Sequence, residues 1–135
     1  MQIKVDFRLG IPIYVQVMEQ IKQHIATGAL QPGDQLPTVR QLAADLRVNF
    51  NTVARAYRLL DEAGIISTQH GRGTYILGES TPEASEKLRR QALAELTHHY
   101  LTGASRLGFT PQEVAEQVHR HLEAWKVHGA PVPEP

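Results

Sequence analysis

Apolar residues recur at a spacing of four from Ile13 through Val17 and Ile21 to Ile25, with Tyr14 and Met18 beside them. That spacing predicts an amphipathic helix, opened by Pro12 and closed at Thr27-Gly28. Ahead of it, Ile3, Val5, Phe7 and Leu9 alternate with polar residues, which suggests an extended strand or arm, with a frayed terminus as the equal alternative. Residues 29–37 form a turn-rich connector bent at Pro32-Gly33, with Leu30 and Leu36 directed to the core. Thr38 and Gln41 have capping-box spacing and start a short helix with Val39, Leu42, Ala43 and Leu46 on one face. Arg47-Val48-Asn49 is too short for anything but a turn, and Asn49 is suited to cap the next helix. That helix should bury Val53, Tyr57 and Leu60 and stop at Gly64 in a left-handed position. Two short strands then follow, Ile65 to Gln69 and Thr74 to Leu77, joined by the turn His70-Gly71-Arg72-Gly73.

Beyond the hairpin the period returns to helical. Glu79-Ser80-Thr81-Pro82 reads as a junction, with Thr81 as N-cap and Pro82 in the first turn of a helix running to about Thr102 and ended by Gly103. Ala84, Leu88, Ala92 and Leu96 form its stripe, widened by Leu93, Tyr100 and Leu101. Thr110-Pro111-Gln112-Glu113 repeats the start signal for a last helix, with Val114, Val118, Leu122 and Trp125 on one face, finishing near His128-Gly129. Residues 130–135 form a proline-rich tail expected to be disordered.

The expected fold is therefore mainly α with a small β-hairpin: a winged helix-turn-helix over residues 1–78, a two-helix hairpin over 79–129 and a tail over 130–135. Two helices in so short a segment do not enclose a core of their own. A second copy of the chain would cover them, giving an isologous homodimer whose expected contacts are Leu88, Leu96, Tyr100, Val114, Val118, Leu122 and Trp125. The other arrangement folds the hairpin back onto its own winged helix.

A helix-turn-helix presents the start of its second helix to a major groove, here Asn51, Thr52 and Arg55. The wing turn carries a cation at its tip, suited to backbone or minor groove. Net charge is zero, with 14 Lys and Arg against 14 Asp and Glu. Residues 1–78 hold eight of these cations and six of the anions, and residues 79–135 six and eight. Among the cations of the core motif arginine dominates: Arg40, Arg47, Arg55, Arg58 and Arg72. A nearly neutral chain binds a groove only if such cations face one way, so direct contacts must carry much of the specificity.

The segments Pro12-Ile-Tyr, Gly28 to Ala43, Val48-Asn-Phe-Asn-Thr-Val-Ala-Arg-Ala-Tyr57 and Gln69-His-Gly-Arg-Gly-Thr74 resemble, in order and at matching spacing, the DNA-binding domain of GntR-family transcription regulators. The resemblance runs almost without gaps from about residue 10 to 78. It implies DNA contacts from Arg40, from Asn49, Asn51, Thr52 and Arg55, and from His70 and Gly71 at the wing tip with Arg72 beside them; with Thr38, these nine make the expected DNA-binding set. Phe50 and Ala54 stand where some members carry DNA-contacting arginines, and Phe50 replaces a proline frequent in YtrA-type members. The short two-helix tail is similar to that of the YtrA-type subfamily. The implied function is a sequence-specific transcription regulator, most simply a repressor, binding double-stranded palindromic operator DNA as a homodimer, with an unidentified small-molecule effector as a further partner. The other reading is a protein-interaction module that keeps the winged fold without binding DNA, favoured by the zero net charge.

Other chemistry is weakly represented. Zero cysteines exclude disulfides, thiol catalysis and cysteine-based zinc sites. No run of about 18 apolar residues and no signal-peptide core is present, so the expectation is a cytoplasmic protein without membrane contact. Seven histidines raise metal binding, but His98-His99 and His119-x-His121 lie one and two apart and do not share a helix face. Gly71-x-Gly73 precedes no helix and makes no phosphate cradle. Asp61-Glu62 and the serines lack a catalytic context, and no enzyme activity, metal or cofactor is expected.

Overall fold

The computed structural model describes residues 1–79 and 81–132. Its elements run α1 (Ile13–Ala26), β1 (Gln35–Leu36), α2 (Val39–Leu46), α3 (Phe50–Glu62), β2 (Ile66–Gln69), β3 (Gly73–Ile76), α4 (Pro82–Arg106) and α5 (Pro111–His128). Packing divides the chain after Leu93 into two compact units, 1–93 and 94–135.

The first unit is a winged helix. Val17, Met18 and Ile21 of α1, Leu42 of α2, Val53, Ala56 and Leu60 of α3, and Ile66 and Ile76 of the sheet are all buried in one core. Leu30 and Leu36 plug into it from the connector as their apolar character predicts. The sheet has three strands rather than two, in the order β1-β3-β2, all antiparallel. Leu36 pairs with Thr74 and Ile66 with Ile76. A two-residue strand next to Pro37 is too short to show alternation, and its partner lies about forty residues on, so the pattern reads only as connector.

Residues 1–6 run as an arm without strand pairing, their backbone groups taken up by side chains of α1, and residues 7–10 turn, with the Leu9 N–H on the Asp6 carbonyl. Gln16 Oε1 accepts from the Asp6 N–H at 2.8 Å, and Gln16 Nε2 donates to the Asp6 and Ile11 carbonyls at 2.9 and 3.0 Å. Gln20 pairs with both backbone groups of Lys4, and His24 Nε2 donates to the Gln2 carbonyl. Ile3 is buried, whereas Phe7 and Leu9 are exposed.

Helix α4 begins at Pro82, where Thr81 Oγ1 accepts from the Ala84 N–H, but it does not stop at Gly103. It runs on to Arg106 and turns at Gly108, whose φ of 88° takes the left-handed C-cap role. An interior glycine costs a helix only about 1 kcal/mol against alanine, so it permits a stop without imposing one.

Leu88, expected at the dimer contact, is buried in the winged-helix core with Ala92 packed beside it. It has no surface left for a partner. The first turns of α4 thus belong with the winged helix, past the junction expected at residue 79.

In the second unit, α5 opens on a complete capping box: Thr110 Oγ1 accepts from the Glu113 N–H and Glu113 Oε1 from the Thr110 N–H. None of its described side chains is buried. Of the tail expected over 130–135, residues 130–132 are exposed, and 133–135 lie outside the described residues.

Candidate nucleic-acid interface

The helix-turn-helix is built as the local sequence requires. Thr38 Oγ1 accepts from the Gln41 N–H at 3.0 Å and Gln41 Oε1 from the Thr38 N–H at 2.9 Å, closing the capping box of α2. Arg47 then turns the chain with a φ of 56°, the one non-glycine left-handed residue among those described. Its N–H and that of Val48 satisfy the Ala44 and Ala43 carbonyls. Asn49 Oδ1 accepts from the Asn51 N–H at 2.7 Å and caps α3.

Behind the motif, the buried Tyr57 phenol donates to the Pro37 carbonyl at 2.7 Å. Burial pushes its pKa far above the ordinary tyrosine value, so it stays a neutral donor. This bond ties α3 to the residue just ahead of the α2 cap.

The exposed surface of the motif comprises Thr38 and Arg40 at the start of α2 and Asn49, Phe50 and Asn51 at the start of α3, with Thr52 half-buried. The oxygen of Asn49 is already committed to capping, and that of Thr38 likewise. Arg40 and the Asn51 amide therefore offer the more available polar groups. Arg55 is half-buried, its guanidinium carbon 4.2 Å from the centroid of the Tyr14 ring on α1. That stack was not visible in the sequence, where Tyr14 reads only as one more apolar position of the first helix.

The wing tip is braced from below. Its Arg72 N–H donates to the Gln69 carbonyl at 3.0 Å, while the Arg72 carbonyl accepts from Tyr75 Oη at 2.8 Å and Gln35 Nε2 at 3.5 Å. Gly71 and Gly73 have φ of 73° and 116°, and a methyl group on Gly73 would run into the Gln35 amide. His70 and Arg72 are exposed at the tip. Gln35 and Tyr75 escaped the sequence reading because the pairing of β1 with β3 brings them to the turn.

Among the described residues no group of three His, Asp or Glu side chains could hold a metal, and no helix is long and apolar enough to cross a membrane.

The profile described as "Bacterial regulatory proteins, gntR family" matches residues 13–76, from the first residue of α1 to the last of β3. The chain is 49% identical over 74 residues to the HTH-type transcriptional repressor YtrA of Bacillus subtilis (strain 168), a match spanning 55% of this chain and 57% of that protein. It is 34% identical over 120 residues to the HTH-type transcriptional regulator YhcF of the same organism, covering 87% of this chain and 96% of the relative. Among solved structures, YtrA from Sulfolobus acidocaldarius, a GntR-family transcription factor, superposes with a TM-score of 0.55 at 40% identity, over 68% of this chain and 97% of that one. The match to YhcF runs beyond the winged helix, well past the point where the family profile ends. The chain belongs to the GntR family of bacterial regulatory proteins, as a DNA-binding transcription regulator of the YtrA type.

Proposed function

We propose that the chain binds a palindromic operator as a homodimer and represses transcription by occupying promoter DNA. The observation that carries this reading is the capped start of α3, where Asn51 is exposed and Thr52 half-buried on a closed winged helix. In this reading Asn51 and Thr52 meet base edges in the major groove, Arg55 anchors beside them, and Arg40 holds a base edge or phosphate. Asn49 and Thr38 approach the backbone while capping their helices, and His70, Gly71 and Arg72 place the wing in the minor groove. The name of the Bacillus relative, a transcriptional repressor, supports repression over activation.

Dimerisation is supported by the second unit. Leu122 and Trp125 of α5 are 45% and 53% exposed, and Tyr100 of α4 46%. With Leu96, Val114 and Val118 they supply more apolar surface than two helices cover for themselves. A two-fold dimer presents two recognition helices, which matches a palindrome. For an effector, the first unit contains a cavity of about 490 Å³ lined by Glu19, Lys22, Gln23, Ile25, Ala26, Ile65, Gly78, Glu79 and Ser85, within the size range of small-molecule sites.

Fluorescence anisotropy against DNA from upstream of the chain's own gene, across a salt series and with scrambled DNA as control, tests the reading. The expected result is a specific affinity whose logarithm falls linearly with that of salt concentration. No preference over scrambled DNA, repeated with a pool selected from random sequence, overturns it in favour of a protein-interaction module.

A further inference from the structure

Phe50 is the first residue of α3, and its side chain is 49% exposed. It lies outside the hydrophobic core and outside the set of half-buried residues packed against that core. Its neighbours on the first turn are the capping Asn49 and the exposed Asn51, and one turn on, at i+4, Ala54 adds only a methyl group to the same face. The ring thus stands between polar groups at the tip of the recognition helix, where folding leaves it half in water.

Among base edges in the major groove, one group rewards an apolar side chain: the 5-methyl of thymine. The adjacent Asn51 amide has the complementary chemistry for adenine, donating to N7 and accepting from the N6 amino group. An apolar reader and an amide reader side by side on one helical turn both select A·T pairs. Arginines at the two positions held by Phe50 and Ala54 would instead select guanine.

We propose that Phe50 is a specificity-determining residue that packs on a thymine 5-methyl group in each operator half-site, making an A·T step the centre of the sequence this chain reads. The proposal rests on the operator-binding reading above. Its energetic content is the burial of one methyl group, worth about fourfold in affinity per half-site.

The test replaces each thymine of a selected operator, one at a time, with uracil, which lacks the methyl and changes no hydrogen-bonding group. Binding of wild type, Phe50→Ala and Asn51→Ala is followed by anisotropy, with circular dichroism to verify folding. Wild type should lose about fourfold at one symmetry-related thymine position and little elsewhere. Phe50→Ala should bind the thymine and uracil operators equally, while Asn51→Ala keeps the uracil penalty. Indifference of wild type to uracil at every position, with specific binding intact, overturns this proposal alone; so does a uracil penalty that persists in Phe50→Ala. Failure of wild type to prefer any sequence overturns both this proposal and the operator reading.

Discussion

The Arg55 guanidinium carbon lies 4.2 Å from the centre of the Tyr14 ring, so a recognition-helix cation rests on an aromatic face supplied by α1. A cation stacked in this way loses less rotamer freedom when it meets DNA, and the ring offsets part of its desolvation. Tyr14→Phe should keep operator affinity within about twofold, because the face remains. Tyr14→Leu should lower it by about two- to fivefold, the range of an exposed cation–π contact. Arg55→Ala should weaken binding by tenfold or more if the arginine anchors a base, and relax specificity at that position. Anisotropy on the three variants checks the order. Equal affinities for Tyr14→Phe and Tyr14→Leu would remove the ring from the mechanism.

The wing gives a different signature. Arg72 is exposed and its backbone is held by Tyr75 and Gln35, so its side chain should act on phosphate whatever the base sequence. Arg72→Ala should weaken specific and scrambled DNA alike and reduce the salt slope by about one. Tyr75→Phe removes only the bond to the Arg72 carbonyl; a smaller loss, with the salt slope unchanged, is expected. A slope unaltered in Arg72→Ala would place that arginine away from the DNA.

Tyr57 links stability to pH. Its phenol is buried against the Pro37 carbonyl, and its folded pKa is raised by desolvation. A raised pKa means that the unfolded chain ionises first. The contribution is therefore intact below about pH 10, where unfolded tyrosine titrates, and is lost progressively as pH climbs above it, by up to about 1.4 kcal/mol per pH unit. Tyr57→Phe should cost about 1–2 kcal/mol at neutral pH, since the Pro37 carbonyl loses its donor. It should also flatten the alkaline fall in stability. Urea unfolding at pH 8 and pH 11 measures both effects, and parallel losses in wild type and Tyr57→Phe would count against the linkage.

These three tyrosines mark where the sequence stops being informative. Thr38, Gln41, Asn49 and Gly64 act within a few residues of themselves, so caps and stops of α2 and α3 were legible from spacing. Val17, Ile21, Val53 and Leu60 were legible because helical period sorts them onto one face. The strand at Gln35–Leu36 was not, since its two residues acquire meaning only when β3 lies beside them. Tyr14 under Arg55, Tyr57 on Pro37 and Tyr75 on Arg72 share that property: an aromatic position predicts burial, while its polar partner is fixed by tertiary packing. Gly103 misled for a related reason, as a glycine allows a helix to end and the later Gly108, with positive φ, is where the ending occurs.

Leu88 and Leu122 separate fold from assembly. Both lie on apolar stripes of helical spacing, yet Leu88 is 4% exposed in the winged-helix core and Leu122 is 45% exposed on α5. Leu88→Ala should therefore act as a core truncation, costing about 2–5 kcal/mol of stability by leaving a cavity in the winged-helix core. It should leave the association state of the remaining folded protein unchanged. Leu122→Asp removes nothing from a packed core, so the isolated fold should lose little, but a charge at a two-fold contact is buried twice, once from each copy. The expected result by sedimentation is a monomer at micromolar concentration, with operator affinity reduced at least tenfold because two half-sites are no longer bound together. Trp125→Ala, which leaves a gap without adding charge, should fall between wild type and Leu122→Asp. If Leu122→Asp sediments as wild type does, the exposed face of α5 is not the dimer contact, and the palindrome expected from a two-fold protein loses its structural basis.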